Sequence, residues 1–318
     1  MVLLINNGCL ALADELEERF PGCSSTHPRA LPRAEEKAES SHPKEPPFTL
    51  VLGSTTHGAY CPKEVSAGGG EVVVHAGFGR VWFGLPAMAP HSAELATEER
   101  RGIQETAAGR VDRVAIAAAR VRAEARAEQS VKLIAQSGLI GDDAAAVGLD
   151  PFIEQRLWEK LCANAVLNPL TALWRCENGA VLARSDGRAL ARAIAGEVAT
   201  VARARGEAKA AINSCDEVPS PCVPSATRDP SRGLLSNPLS TEALYAFVEA
   251  CAAENAKNKS SMLMDVAMGR RTEMAYLGGW IAREGRRLHV STPVNEALTE
   301  AIQRVEAGED CADVKFSF

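Results

Sequence analysis

The chain has 318 residues, a formal net charge of −6, 46% hydrophobic and 24% charged residues. That length allows two domains with separate cores, and a mildly acidic chain without a basic run excludes an electrostatic nucleic-acid platform. Aromatic residues at 5% leave little for base-stacking surfaces. The cysteines number nine, are scattered and form no CxxC pair, which argues against a disulfide framework or zinc knuckle and suits a reducing, cytoplasmic setting. No apolar run approaches the roughly 20 residues of a membrane span, and the N-terminus lacks the basic region of a signal peptide.

In chain order, residues 2–6 read as a strand and residues 10–20 as a helix, with Leu10, Leu12, Leu16 and Phe20 among acidic residues. Residues 21–47, rich in Pro, Ser, His and Glu, read as a long loop. Strand signals follow over 49–55, 71–75 and 80–83, and the last two predict a hairpin turned by Ala76-Gly77-Phe78-Gly79. Residues 92–129, rich in Ala, Arg and Glu, read as a solvated insert, either one exposed helix or partly disordered. Asp150-Pro151 marks a helix start, and that helix runs to about Trp174 with a bend at Pro169. A helix over 186–206, a loop over 211–240, a helix from Thr241 to Met268 stopped by Gly269, and a shorter one over 273–284 come next. Thr292-Pro293 opens the last helix. The domains expected are 1–130, carrying the strands, and 131–318, helical.

Two polar patterns stand out. Lys160, Asn164 and Asn168 at i, i+4 and i+8 share an arc of about 80° on a helix that is otherwise apolar. A buried Lys or Asn costs free energy unless paired. The stripe is therefore either a solvated edge with a snorkelling Lys, or a cleft face whose Lys donates a proton while amides orient a polar ligand. Asn258, Ser261 and Asp265 fall on one face of the helix expected over 241–268. Thr272-Glu273 follows, either as a cap with a carboxylate at the positive helix end or as a carboxylate facing a Lys across a cleft. Gly77-Phe78-Gly79 is half of a dinucleotide fingerprint without its third glycine or its helix, so it reads as a turn. No spacing suggests a metal site, and His57 and His75 read as structural.

The segment Trp158-Glu-Lys160-Leu-Cys-Ala-Asn164-Ala-Val-Leu-Asn168-Pro-Leu-Thr-Ala-Leu-Trp174 with Asn178-Gly179 resembles the ketopantoate reductase (2-dehydropantoate 2-reductase) family. So do Asn258-Lys-Ser260-Ser261-Met-Leu-Met-Asp265, Thr272-Glu273, Thr292-Pro293, Gly53-Ser-Thr-Thr-His57-Gly, Val72-Val-Val-His75-Ala-Gly and Leu3-Leu-Ile-Asn-Asn7-Gly8. The resemblance covers residues 1–20, 48–86, 131–210 and 240–305. It implies an α/β plus all-α chain: a Rossmann-type NADP-binding domain followed by a helical domain like that of 6-phosphogluconate dehydrogenase. It further implies reduction of 2-dehydropantoate by NADPH to (R)-pantoate, toward pantothenate and coenzyme A. In that frame Lys160 is the general acid. Glu273 binds the substrate hydroxyl, helps hold Lys160 and touches the cofactor. Asn164, Asn168, Asn258 and Ser261 bind substrate, and Asn7 sits at the nicotinamide. The partner is a small molecule, with no nucleic acid or membrane, and a homodimer is compatible.

The family's opening strand–GxGxxG–helix is absent, and a βαβαβ half would need roughly 70–90 residues before Asn7. The expectation is therefore a truncated Rossmann domain. Two other readings stay open: a cofactor-free binding or dimer-forming module, and a related reductase of another 2-oxo acid. Ala275 and Gly278 also depart from the family's usual acid and Asn.

Overall fold

In the computed structural model, the residues described are 2–4, 9–19, 50–55, 58–60, 74–77, 81–85, 121–122, 124–134, 136, 149–214 and 239–312. The chain divides into two compact units, Met1–Arg156 and Leu157–Phe318. That division falls later than the expected boundary at 130/131, because residues just past 130 belong to the core of the first unit.

The first unit carries β1 (Val2–Leu4), α1 (Cys9–Arg19), β2 (Leu50–Thr55), β3 (Gly58–Tyr60), β4 (Val74–Gly77) and β5 (Val81–Gly84). β1 pairs parallel to β2, and β2 pairs antiparallel to β5, with Val2 opposite Leu50 and Leu52 opposite Gly84. β3 and β4 form a separate antiparallel pair. The expected hairpin is thus corrected. β4 and β5 lie in different sheets, and Gly77 ends a strand rather than turning one. β2, apolar and buried at Leu50, Val51 and Leu52, is the partner of β5.

Helical residues 124–134 close this core. Ala127 and Val131 are fully buried with Val51, Phe83 and Leu85, and Ile134 packs against them. These three sit at i, i+4 and i+7, one helical face. Within 124–129 the exposed-helix reading of 92–129 holds except at Ala127, a small residue that supplies part of the buried face.

α2 (Ile153–Trp174) spans 22 residues. Asp150 receives the amide of Phe152 at 2.8 Å and pairs with Arg156, but the helix opens at Ile153, so Pro151 stands in the turn before it rather than at its first position. Within the second unit α2 is buried on nearly every side, from Leu157 and Trp158 to Ala172 and Leu173. A helix apolar all round is the central one of a helical domain.

Around it lie α3 (Asn178–Ala183), α4 (Ser185–Ser214), α5 (Thr241–Glu254), α6 (Ser261–Ala267), a 3₁₀ turn (Met274–Tyr276), α7 (Gly278–Arg287) and α8 (Pro293–Glu306). α4 packs on α3, α5, α7 and α8. Trp158 meets Trp280 of α7 with ring centroids 5.5 Å apart, and the Arg205 guanidinium of α4 lies 5.4 Å from the same indole. Buried Glu284 holds Arg205 and Arg287, each at 2.6 Å.

Three expectations change here. The helix expected over 273–284 is a 3₁₀ turn, Met274–Tyr276, followed by α7, which runs on to Arg287. The helix expected over 241–268 is broken: α5 ends at Glu254 and α6 starts at Ser261. Thr292 does not cap α8 with its side chain. Glu197 of α4 does so instead, accepting the amides of Val294 at 2.8 Å and Asn295 at 3.0 Å and the Asn295 carboxamide at 2.7 Å. The stop at Gly269 is as expected: its φ is +63° and its amide donates to Val266, a conformation that costs glycine least.

Candidate functional site

Every expected site residue except Asn7 falls in the helical unit. Asn7 lies outside the described residues, as does His57.

Lys160 and Asn164 are half-buried on α2, and Asn168 is buried at 6% exposure. Trp158 stands two residues before Lys160, about 200° around the helix. Lys160 therefore faces away from the Trp158–Trp280 contact. Thr171, fully buried, lies about 20° from Lys160 on the same stripe. Its hydroxyl reaches the carbonyls of Leu167 at 2.7 Å and Asn168 at 3.0 Å, and the Ser260 hydroxyl at 2.6 Å. Ser260 caps α6 by accepting the Leu263 amide at 3.0 Å. One contact thus joins the Lys160–Asn164–Asn168 stripe to the junction that holds Asn258 and Ser261.

The break between α5 and α6 changes how these residues are presented. Asn258 and Ser261 do not share a helical face; Asn258 stands in the non-helical junction and Ser261 in the first turn of α6, both exposed. Asn258 donates its side chain to Asn255 Oδ1 at 3.1 Å and its amide to the Asn255 carbonyl at 2.9 Å. The Asn258 carbonyl accepts the Asn178 amide at 3.0 Å, and Gly179 donates to Ala256 at 2.9 Å. A Cβ on Gly179 would sit 2.8 Å from that of Ala256, so this approach needs glycine. Asp265 pairs with Arg270 at 2.7 Å.

Glu273, half-buried, precedes the 3₁₀ turn and accepts the Tyr276 amide at 2.9 Å on its carbonyl. Thr272 beside it accepts the Met274 amide at 3.2 Å and binds Glu306 through both its amide and its hydroxyl at 2.7 Å. The capping reading thus describes Thr272, while Glu273 makes no side-chain cap.

Thr171, Ser260 and Asn178 were not singled out from spacing. The angular position of Thr171 on the Lys160 stripe was a readable signal. Asn178 is buried with an Oδ1 that has no hydrogen-bond partner, beside the Asn258 carbonyl. No sequence pattern announced that, since the neighbour is 80 residues away.

Burial disfavours the thiolate form of the two thiols at α2 and α5, Cys162 and Cys251. Burial and then the neighbouring Cys251 push the Cys162 thiol far up, and burial, Glu254 and Glu159 push Cys251 up to about 11. Among the described residues no cluster of His, Cys, Asp or Glu could hold a metal, and no helix is long and apolar enough to cross a membrane. The candidate set holds the Lys160 ammonium, the Glu273 carboxylate and several amides and hydroxyls, groups able to orient hydroxyl and carboxylate groups and to donate a proton.

Residues 152–306 match the family described as ketopantoate reductase PanE/ApbA C terminal. The chain is 34% identical over 165 residues to the 2-dehydropantoate 2-reductase of Vibrio cholerae serotype O1, covering 51% of this chain and 44% of that protein. It is 29% identical over 156 residues to the enzyme of that name from Archaeoglobus fulgidus, covering 49% and 42%. The chain spans less than half the length of these curated relatives. Among solved structures it is similar to D-mandelate dehydrogenase with NADH and anilino(oxo)acetate, at TM-score 0.51 and 18% identity over 81% of this chain and 75% of that one. At that identity the likeness concerns fold, and it agrees with an α/β part followed by a helical domain. Residues 152–306, just under half of the chain, thus match the C-terminal domain of the ketopantoate reductase family.

Proposed function

We propose that the helical unit binds 2-dehydropantoate and supplies the proton in its reduction to (R)-pantoate. The observation that carries this reading is the Thr171–Ser260 contact of 2.6 Å, which brings the turn of Asn168 to the segment of Asn258 and Ser261. Lys160 is the proton donor in this reading. Its ammonium stands on a largely apolar helix, and it neutralises the charge developing on the C2 oxygen. Asn164 and Asn168 orient the substrate from α2, and Asn258 and Ser261 hold it from the junction. Glu273 binds the substrate hydroxyl.

A reduced nicotinamide, NADPH in the family's pattern, supplies the hydride in such a reduction. None of the residues named above is assigned to its diphosphate. The chain has no GxGxxG, and the connection between β1 and α1 contains a single glycine, Gly8. The residues of this chain are therefore assigned to the substrate side.

Calorimetric titration with 2-dehydropantoate, followed by assay with added NADPH, tests the proposal. The expected outcome is saturable substrate binding with loss of turnover in Lys160→Ala. Substrate binding without turnover leaves the substrate half standing and removes the reductase. Absence of substrate binding favours the cofactor-free module. Turnover confined to other 2-oxo acids in a substrate panel favours the related reductase.

A further inference from the structure

The buried hydroxyl pair joining α2 to α6 is a chain with a direction. Ser260 accepts the Leu263 amide at 3.0 Å and meets Thr171 at 2.6 Å. Thr171 meets two carbonyls of its own helix, Leu167 and Asn168, which can only accept. The Thr171 hydroxyl is thus placed to donate to α2 while accepting from Ser260. Each hydroxyl donates once and accepts, so the pair is satisfied in one arrangement. Ser260 is 7% and Thr171 0% exposed, so water is a poor replacement for either partner.

The junction ahead of Ser260 is held elsewhere by α3, through Asn178 to Asn258 and Gly179 to Ala256. Those bonds fix it to α3. The Thr171–Ser260 bond fixes it to the polar stripe. We infer that Thr171 is a positioning residue: through Ser260 it sets where Asn258 and Ser261 stand relative to Lys160, Asn164 and Asn168. That those residues take substrate rests on the function proposed above; the tie itself does not.

The test compares Thr171→Val, which keeps the shape and deletes the hydroxyl, with Thr171→Ser, which restores it, in the full chain. Two readouts separate the claims. In Thr171→Val, amide hydrogen exchange at Leu263 is expected to quicken about tenfold, while the amides of α8 stay within about threefold. Affinity for 2-dehydropantoate is expected to fall about tenfold, and Thr171→Ser is expected to recover both within about threefold. Ser260→Ala cuts the same link from the other side but also removes the Leu263 cap. If Thr171→Val does not fold, the loss of affinity in Ser260→Ala, about tenfold, stands in as the readout, and an unchanged affinity overturns the inference. Unchanged exchange at Leu263 in the folded variants overturns the inference. So does unchanged affinity where the parent binds, or a Thr171→Ser variant that recovers neither. A parent chain that does not bind 2-dehydropantoate refutes the proposed function, and the exchange readout then decides the tie by itself.

Discussion

α2 and the junction at 255–260 carry polar side chains in opposite ways. On α2, Lys160, Asn164 and Asn168 ride on 22 unbroken helical residues, with apolar neighbours buried on the remaining faces. At the junction, Asn255 donates its side chain to the Cys251 carbonyl at 3.2 Å and accepts from Asn258, while Ser260 takes the Leu263 amide. Asn and Ser side chains compete with the helix for its own backbone groups. Where packing holds the backbone, as in α2, they become a stripe. Where three of them cluster, as between α5 and α6, they cut the helix and make its new ends.

That contrast has sharp experimental edges. The largest effect is expected at the stripe. Lys160→Ala should lower turnover by about 10² to 10⁴-fold, the range for a lost general acid, with substrate affinity and thermal midpoint little altered. An equal loss of affinity would make Lys160 a binding residue only.

Away from both regions, Glu284→Gln should cost about 1 to 3 kcal/mol by denaturant unfolding, because it removes the buried carboxylate charge that the Arg205 and Arg287 guanidinium groups share. Burial pushes the Glu284 carboxyl up, but the Arg287 hydrogen bond and the Arg205 charge outweigh it, so it lies below its ordinary 4.5. Its contribution is thus fully present above pH 4.5 and is lost as pH falls through the lowered native value. Acid titration should show a steeper loss in the parent than in Glu284→Gln.

The adjacent serines give the finest cut. Ser260→Ala, removing a buried cap, should destabilise by about 1 to 2 kcal/mol. Ser261→Ala, on an exposed residue, should stay within about 0.5 kcal/mol while weakening 2-dehydropantoate binding. A reversed pattern would break the distinction between a positioning and a contacting serine.

The α2 stripe was legible because an i, i+4 repeat among apolar residues has few interpretations once the helix is long. β2, β5, the turn at Asp150 and the stop at Gly269 were legible for the same local reason. The pairing of β5 with β2 instead of β4 was not, since any buried apolar strand can receive it. Nor was the packing of 124–134 legible, where Ala127 contributes almost no hydropathy signal to a fully buried position. Thr171 lay on the stripe in plain angular view, but only a partner 89 residues away made its hydroxyl informative.

Sequence by itself determined the helical character of the second unit, the polar stripe on its central helix and the family whose C-terminal domain residues 152–306 match. These follow from periodicities and motifs within a few helical turns. Tertiary structure alone decided that residues 241–268 are two helices, that Glu197 rather than Thr292 caps α8, and that Thr171 meets Ser260. Each depends on groups distant in the chain satisfying backbone amides or buried hydroxyls, and the free energy of an unpaired buried polar group selects which partner they find.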